Sequence, residues 1–206
     1  MISFLITVVT VSLSGVLAPG PVTAATLGAG VRRRHAGALI AIGHGLVEFP
    51  LMILIVMGMG ILIRSAPVTI GIGLAGGGFL VFMGGQMLRN LESTSGPVAQ
   101  YASMNPVWIG VVLTAGNPYF LIWWASVGLN LAIAARELGS TAFVLFAVVH
   151  WLCDLIWLEV LSSAGSRGST VFGERSQRIV LIVCGVALIG FGGWFITDAI
   201  RRLVSA

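Results

Sequence analysis

Hydrophobic positions in this chain come in long unbroken blocks, and polar residues are confined to block ends and a few isolated interior sites. No Asp, Glu, Lys or Arg occurs in 1–31, 65–88, 93–135 or 179–197. A helix needs about 20 predominantly apolar residues to cross the hydrocarbon core of a bilayer. The blocks predict six such spans, at about 2–27, 37–63, 67–89, 106–134, 140–164 and 178–202. Apart from the segment before Pro106, the connections are short and leave little room for an extramembrane catalytic domain. The expectation is an all-α integral membrane protein with a single transmembrane domain over 1–206.

Two spans carry interruptions. Pro19-Gly20-Pro21 falls late in the first and Asn117-Pro118 within the fourth. Proline removes a backbone donor and clashes with the preceding turn, and glycine is permissive, so regular helices should break at both places. Backbone groups freed inside a bilayer must face protein or water. Discontinuous helices can present amide donors and a positive dipole end to an anionic substrate group, which makes Pro19, Gly20, Pro21, Asn117 and Pro118 candidate site residues. The first apolar run lacks a basic leader and continues past any plausible cleavage point, so it reads as a retained helix.

The polar residues that do enter the blocks form a pattern. Ala41-Ile42-Gly43-His44 is followed one helical turn later by Glu48, and Ala147-Val148-Val149-His150 by Asp154, at one common offset. A charged residue at the bilayer centre costs roughly 2.5–3.5 kcal/mol on insertion scales. Bearing that cost at two matching positions points to a transport or proton-coupling site, with Glu48 and Asp154 as its core and His44 and His150 able to share a proton with them.

Further similarities occur in the same order. Phe82-Met83-Gly84-Gly85 resembles Gly190-Phe191-Gly192-Gly193, and small-residue runs ending at proline close Leu13–Pro19 and Leu113–Pro118. Repeats of three spans at about 1–92 and 106–206, joined by a linker at about 93–105, enter the membrane in opposite directions. They would be related by a two-fold axis in its plane, with the site near the midplane.

Composition adds a mean hydropathy of +1.04 and 28 glycines, outside the range of an ordinary soluble domain. Glycine-rich faces in spans three and six suit close helix packing in lipid, or a homodimer contact. The net charge of +4 comes from eleven arginines and no lysine. These lie at helix ends, which argues against nucleic acid as a partner and makes them topology signals. Arg32, Arg33, Arg34, Arg89, Arg167, Arg175 and Arg178 collect on one side, and Arg64, Arg136, Arg201 and Arg202 on the other. That asymmetry favours both termini outside the cytoplasm of a multi-pass protein in the cell (plasma or inner) membrane. Cys153 and Cys184 have no paired spacing, so neither a disulfide nor a redox pair is indicated.

Taken together, these residues resemble the LysE/RhtB family of amino-acid exporters over the whole chain. The family's proline–glycine element at the end of helix one is matched by Pro19-Gly20-Pro21, and its glycine-containing basic loop by Gly30-Val31-Arg32-Arg33-Arg34-His35-Ala36-Gly37. Its acidic residue in helix two or five is matched by Glu48 and Asp154. The Asn-Pro-Lys of helix four stands here as Asn117-Pro118-Tyr119, so any role of that lysine is not carried over. The resemblance implies export of an amino acid or similar small zwitterion, with protons as coupling partner and no cofactor. Carboxylates would hold the substrate's ammonium. The wider superfamily includes exporters of divalent metals, and for them His44, Glu48, His150 and Asp154 offer nitrogen and oxygen ligands. An intramembrane enzyme is disfavoured: His-x-x-x-Glu is not a metalloprotease pattern, and no nucleophile–base pair stands out. Of the remaining polar groups, Glu159 reads as structural, Gln86 and Asn130 as interhelical hydrogen-bonding groups, and Trp123 and Trp124 as walls of a substrate path.

Overall fold

The computed structural model describes residues 1–59, 65–89, 104–168 and 174–205, which fold into helices throughout with no strand among them. In chain order these are α1 (Ile2–Val16), α2 (Pro21–Arg32), α3 (Ala36–Leu54), α4 (Ala66–Arg89), α5 (Pro106–Ala115), α6 (Pro118–Trp123), α7 (Leu129–Glu137), α8 (Ser140–Gly168) and α9 (Glu174–Ser205). Wider π-type turns carry α3 on from Ile55 until Gly58, whose φ of 108° breaks the helical path, and join α6 to α7 over Trp124–Gly128.

Among the described residues, five helical stretches are long and apolar enough to cross a bilayer: Ala36–Gly58, Ala66–Gln86, Tyr119–Glu137, Ser140–Arg167 and Ile182–Val204. Counting α1 and α2 as one broken span gives six. The chain is therefore an all-α, multi-pass membrane protein. Most of the linker expected at 93–105, the end of the second span and Arg64 lie outside the described residues.

Both expected interruptions are breaks. At Pro19-Gly20-Pro21 the axis turns by 80° between α1 and α2, and Pro21 opens α2, where its missing N–H costs nothing. At Asn117-Pro118 the expected fourth span divides. Its first part, α5, has ten residues, about 15 Å at 1.5 Å per residue and too short to cross alone. The crossing stretch begins only at Tyr119.

Around these breaks α8 packs against α1, α2 and α3, while α3 also packs against α5. Helices α4 and α9 form a pair whose main further contacts, among the described residues, run from α4 to α6 and from α9 to α2. Backbones meet where glycine removes the side chain. A Cβ on Gly77 would lie 2.6 Å from the Gly192 carbonyl oxygen, and one on Gly84 the same distance from that of Gly185. Across α3 and α5, Gly43 faces the Val107 carbonyl and Gly110 the Ile40 carbonyl, closer than any Cβ tolerates. In lipid, burial of apolar surface no longer drives helix association, and such close contacts supply dispersion in its place. Many of the expected packing glycines in spans three and six therefore serve within the protomer. By contrast, a Cβ on Gly71, Gly78, Gly85, Gly190 or Gly193 would meet nothing within 4 Å among the described residues.

Candidate substrate site

Both histidine–acid pairs arrive at one place. His44 and Glu48 project from the middle of α3, and His150 and Asp154 from the middle of α8. All four are buried, Glu48 to 1% exposure. Glu48 Oε1 lies 3.1 Å from the Nε2 of His44 and 3.1 Å from the Nε2 of His150. Trp124 donates to the same oxygen through Nε1 at 3.3 Å. Asp154 stands further off, with its two oxygens 3.8 Å from His44 Nε2 and His150 Nε2. Glu48 Oε2 and Asp154 Oδ2 are buried and have no hydrogen-bond partner among the described residues.

Hydroxyls hold the far side of each ring. Thr114 Oγ1 lies 2.9 Å from His44 Nδ1, and Ser12 Oγ lies 2.6 Å from His150 Nδ1. When both hydroxyls donate to Nδ1, both histidines carry their proton on Nε2 and donate to an ionised Glu48. The arrangement is crossed: α1 holds the histidine of α8, and α5 holds the histidine of α3.

Aromatic rings complete the enclosure. Trp123 stacks on His150 with centroids 5.1 Å apart, Trp124 meets the same ring edge-on, and Phe120 packs edge-on to His44. Trp123 and Trp124 are thus walls of the site, as their place after the fourth-span break suggests.

A cavity joins the cluster to both breaks. Its wall includes Pro19, Gly20, Pro21, Val22 and Thr23 from the first break, Asn117 and Tyr119 from the second, and all four of His44, Glu48, His150 and Asp154. The space open to the centres of water-sized molecules is about 90 Å³. One water centre needs roughly 10–15 Å³, so several waters or one small organic molecule fit. Apolar side chains such as Leu80, Leu188 and Phe191 form the wall facing α4 and α9.

The two breaks differ in a way sequence reasoning missed. The Asn117 side chain accepts from the Tyr119 N–H at 3.1 Å and so caps α6 itself. Among the described residues, no side chain caps helix α2. An Asn followed by Pro at the first helical position is a legible self-capping signal. Ser12 and Thr114 were also missed, for nothing separates their hydroxyls from others in the sequence.

The remaining polar residues sit elsewhere. Glu159 pairs with His35 and accepts from the Ala38 N–H, bracing the start of α3 beside the exposed Arg32–Arg34 run. That is the structural role expected of it. Asn130 donates to Ser126 of its own helical stretch, and Gln86 is exposed.

A family model, LysE type translocator, matches residues 13–199. The chain belongs to that family. Comparison with curated proteins and with solved structures gives no significant match. As a LysE type translocator, the protein is a transporter of small molecules across a membrane, and its matched region contains every residue of the cavity.

The hydroxyl partners provide a test of the geometry. Ser12→Ala leaves His150 Nδ1 buried without its partner, which should cost about 1–3 kcal/mol. Ser14→Ala removes only a bond to the Val11 carbonyl of its own helix, and should shift stability by no more than about 0.5 kcal/mol. Unfolding of the two variants in detergent checks the contrast.

Proposed function

We propose that this chain exports amino acids or similar small zwitterions from the cell, by antiport against protons. One observation carries the reading: two buried histidine–acid pairs and two helix breaks line a single cavity. A buried carboxylate group is stable when paired, and the substrate ammonium or a proton can fill that role in turn. Alternating occupancy of Glu48 and Asp154 by the two cations couples their movements in opposite directions. His44 and His150 position the acids and share their protons.

The packing pattern supports opposed three-helix repeats over about 1–92 and 106–206. Exchanging the halves maps the α3–α5 contact onto that between the first broken span and α8. It maps the α3–α8 and α4–α9 contacts onto themselves. An inverted pair of this kind places its site between the copies and lets one half rock against the other. The open glycine positions of α4 and α9 suit a homodimer contact.

A second reading, export of a divalent cation, rests on one specific feature. Ligand atoms of His44, Glu48 and Asp154 all lie within 4.8 Å of one another. Opposite ligands of one ion span about 4–5 Å at metal–ligand lengths of roughly 2.0–2.5 Å. The family membership favours the first reading.

Proteoliposomes decide between them. Vesicles holding the purified protein should exchange labelled amino acids when a pH gradient is imposed and should ignore Cd²⁺, Ni²⁺ and Mn²⁺. Metal movement without amino-acid exchange would reverse the choice.

A further inference from the structure

We propose that the cavity binds its zwitterion in one orientation, with the carboxylate at the first turn of α2 and the ammonium between Glu48 and Asp154, and that the substrate's side chain carries no charge. This rests on the export reading above and assigns the ends of the ligand.

The anionic end follows from the inequality of the two breaks. Helix N-termini carry unsatisfied N–H groups and a partial positive charge. At α6 the side chain of Asn117 already takes the Tyr119 N–H. At α2 the cap residue is Gly20, no side chain caps the helix, and Val22 and Thr23 line the cavity. Pro21 has no N–H, so the donors of that turn left without a partner among the described residues are those of Val22 and Thr23. A substrate carboxylate can fill this place, as Asn117 does for the other break.

The cationic end is set by the orphaned carboxylate oxygens. Glu48 and Asp154 are at least nine-tenths buried, and each keeps one buried oxygen in the same cavity wall without a partner among the described residues. Leaving such acceptors unmatched is costly, and an ammonium group supplies the missing donors. The other oxygen of Glu48 is already engaged by both histidines and Trp124. The two acids therefore serve one cation between them, not two.

The side chain of the ligand then meets what remains of the wall. Among the described residues, no charged group lines the cavity besides the His/acid cluster. A second cationic or anionic group on the substrate would be buried without a counter-charge.

Binding to the full-length protein in nanodiscs tests the assignment, using L-leucine, its decarboxylated amine isoamylamine, its deaminated acid 4-methylpentanoate, and L-lysine. The last three should each bind at least about tenfold more weakly than leucine. Gly20→Asn is the informative variant. Gly20 has extended backbone angles any residue adopts, and a Cβ there meets only the Ala18 carbonyl at 4.0 Å. The new side chain should cap α2 as Asn117 caps α6, displacing the substrate carboxylate. Leucine affinity should fall to that of isoamylamine, while isoamylamine affinity stays unchanged. Gly20→Ser provides a smaller cap with the same expected direction.

Equal affinity for leucine and isoamylamine, or for leucine and lysine, would overturn the proposal, as would wild-type leucine binding by a folded Gly20→Asn protein. Those results leave the export reading standing if leucine is still transported. Vesicles that move a divalent cation and no amino acid would remove both.

Discussion

Glu48→Gln should reduce substrate exchange in proteoliposomes by at least about 30-fold, with the protein still folded. The substitution keeps the volume of a side chain that is 1% exposed, so no cavity opens. What changes is charge and donor count. The glutamate oxygen Oε1 faces three donors, from His44, His150 and Trp124. A carbonyl oxygen can still accept there, but without the negative charge that strengthens each bond. Hydrogen bonds to charged groups contribute about 1.5–3 kcal/mol, against about 0.5–1.5 for neutral ones. The same weakening applies to a cation held by a neutral carbonyl in place of a carboxylate, and about 2 kcal/mol lost from cation binding is a factor of roughly 30 at 1.4 kcal/mol per tenfold. The amide also brings an N–H₂ group into the place of the orphaned Oε2, where an ammonium would meet a donor instead of an acceptor. Asp154→Asn should reduce exchange comparably. Its oxygens lie 3.8 Å from the histidines, so its removal should disturb the ring positions less. Size-exclusion profiles and helical content of both variants should match the wild type. Wild-type exchange rates in both would show that neither acid takes part in transport.

How much of this was legible beforehand depends on the kind of signal. The spans were legible because bilayer thickness imposes a minimum apolar length, and charge is excluded from the blocks. The breaks were legible because proline cannot continue a helix, whatever surrounds it. The meeting of His44–Glu48 with His150–Asp154 was suggested by a shared offset, an indirect argument that says nothing of distance. It could not show that one oxygen of Glu48 serves both histidines while Asp154 stands apart. Nor could it show Ser12 and Thr114 as ring partners. A hydroxyl in an apolar helix commonly bonds its own preceding turn, as Thr7 and Thr10 do with Ser3 and Ile6. Only tertiary packing distinguishes Ser12 from them. Glycines posed the same difficulty, for composition gives the number of small residues in a span and not the neighbour each one faces.

Glycine at a helix contact has a large expected effect far from any ligand. Gly110→Val should destabilise the protein by about 3 kcal/mol or more and eliminate transport. A Cβ at Gly110 would press on the Ile40 carbonyl, with the His44 N at 2.8 Å and the Gly43 Cα at 2.9 Å. These are backbone atoms of α3 and cannot swing aside as a flexible side chain would. Overpacking a core typically costs 1–3 kcal/mol, occasionally more, and a rigid neighbour places this case at the upper end. Relief requires α5 to move away from α3. Such movement separates Thr114 from the His44 ring that it holds at 2.9 Å, so stability and site geometry fail together. Gly78→Ala is the matched control. Its Cβ meets nothing within 4 Å, and alanine is the better helix former by about 1 kcal/mol, so its melting temperature in detergent should equal or exceed the wild type. If Gly110→Val melts with the wild type and still transports, α3 and α5 are not held together through this contact, and the positioning of His44 by α5 falls with it.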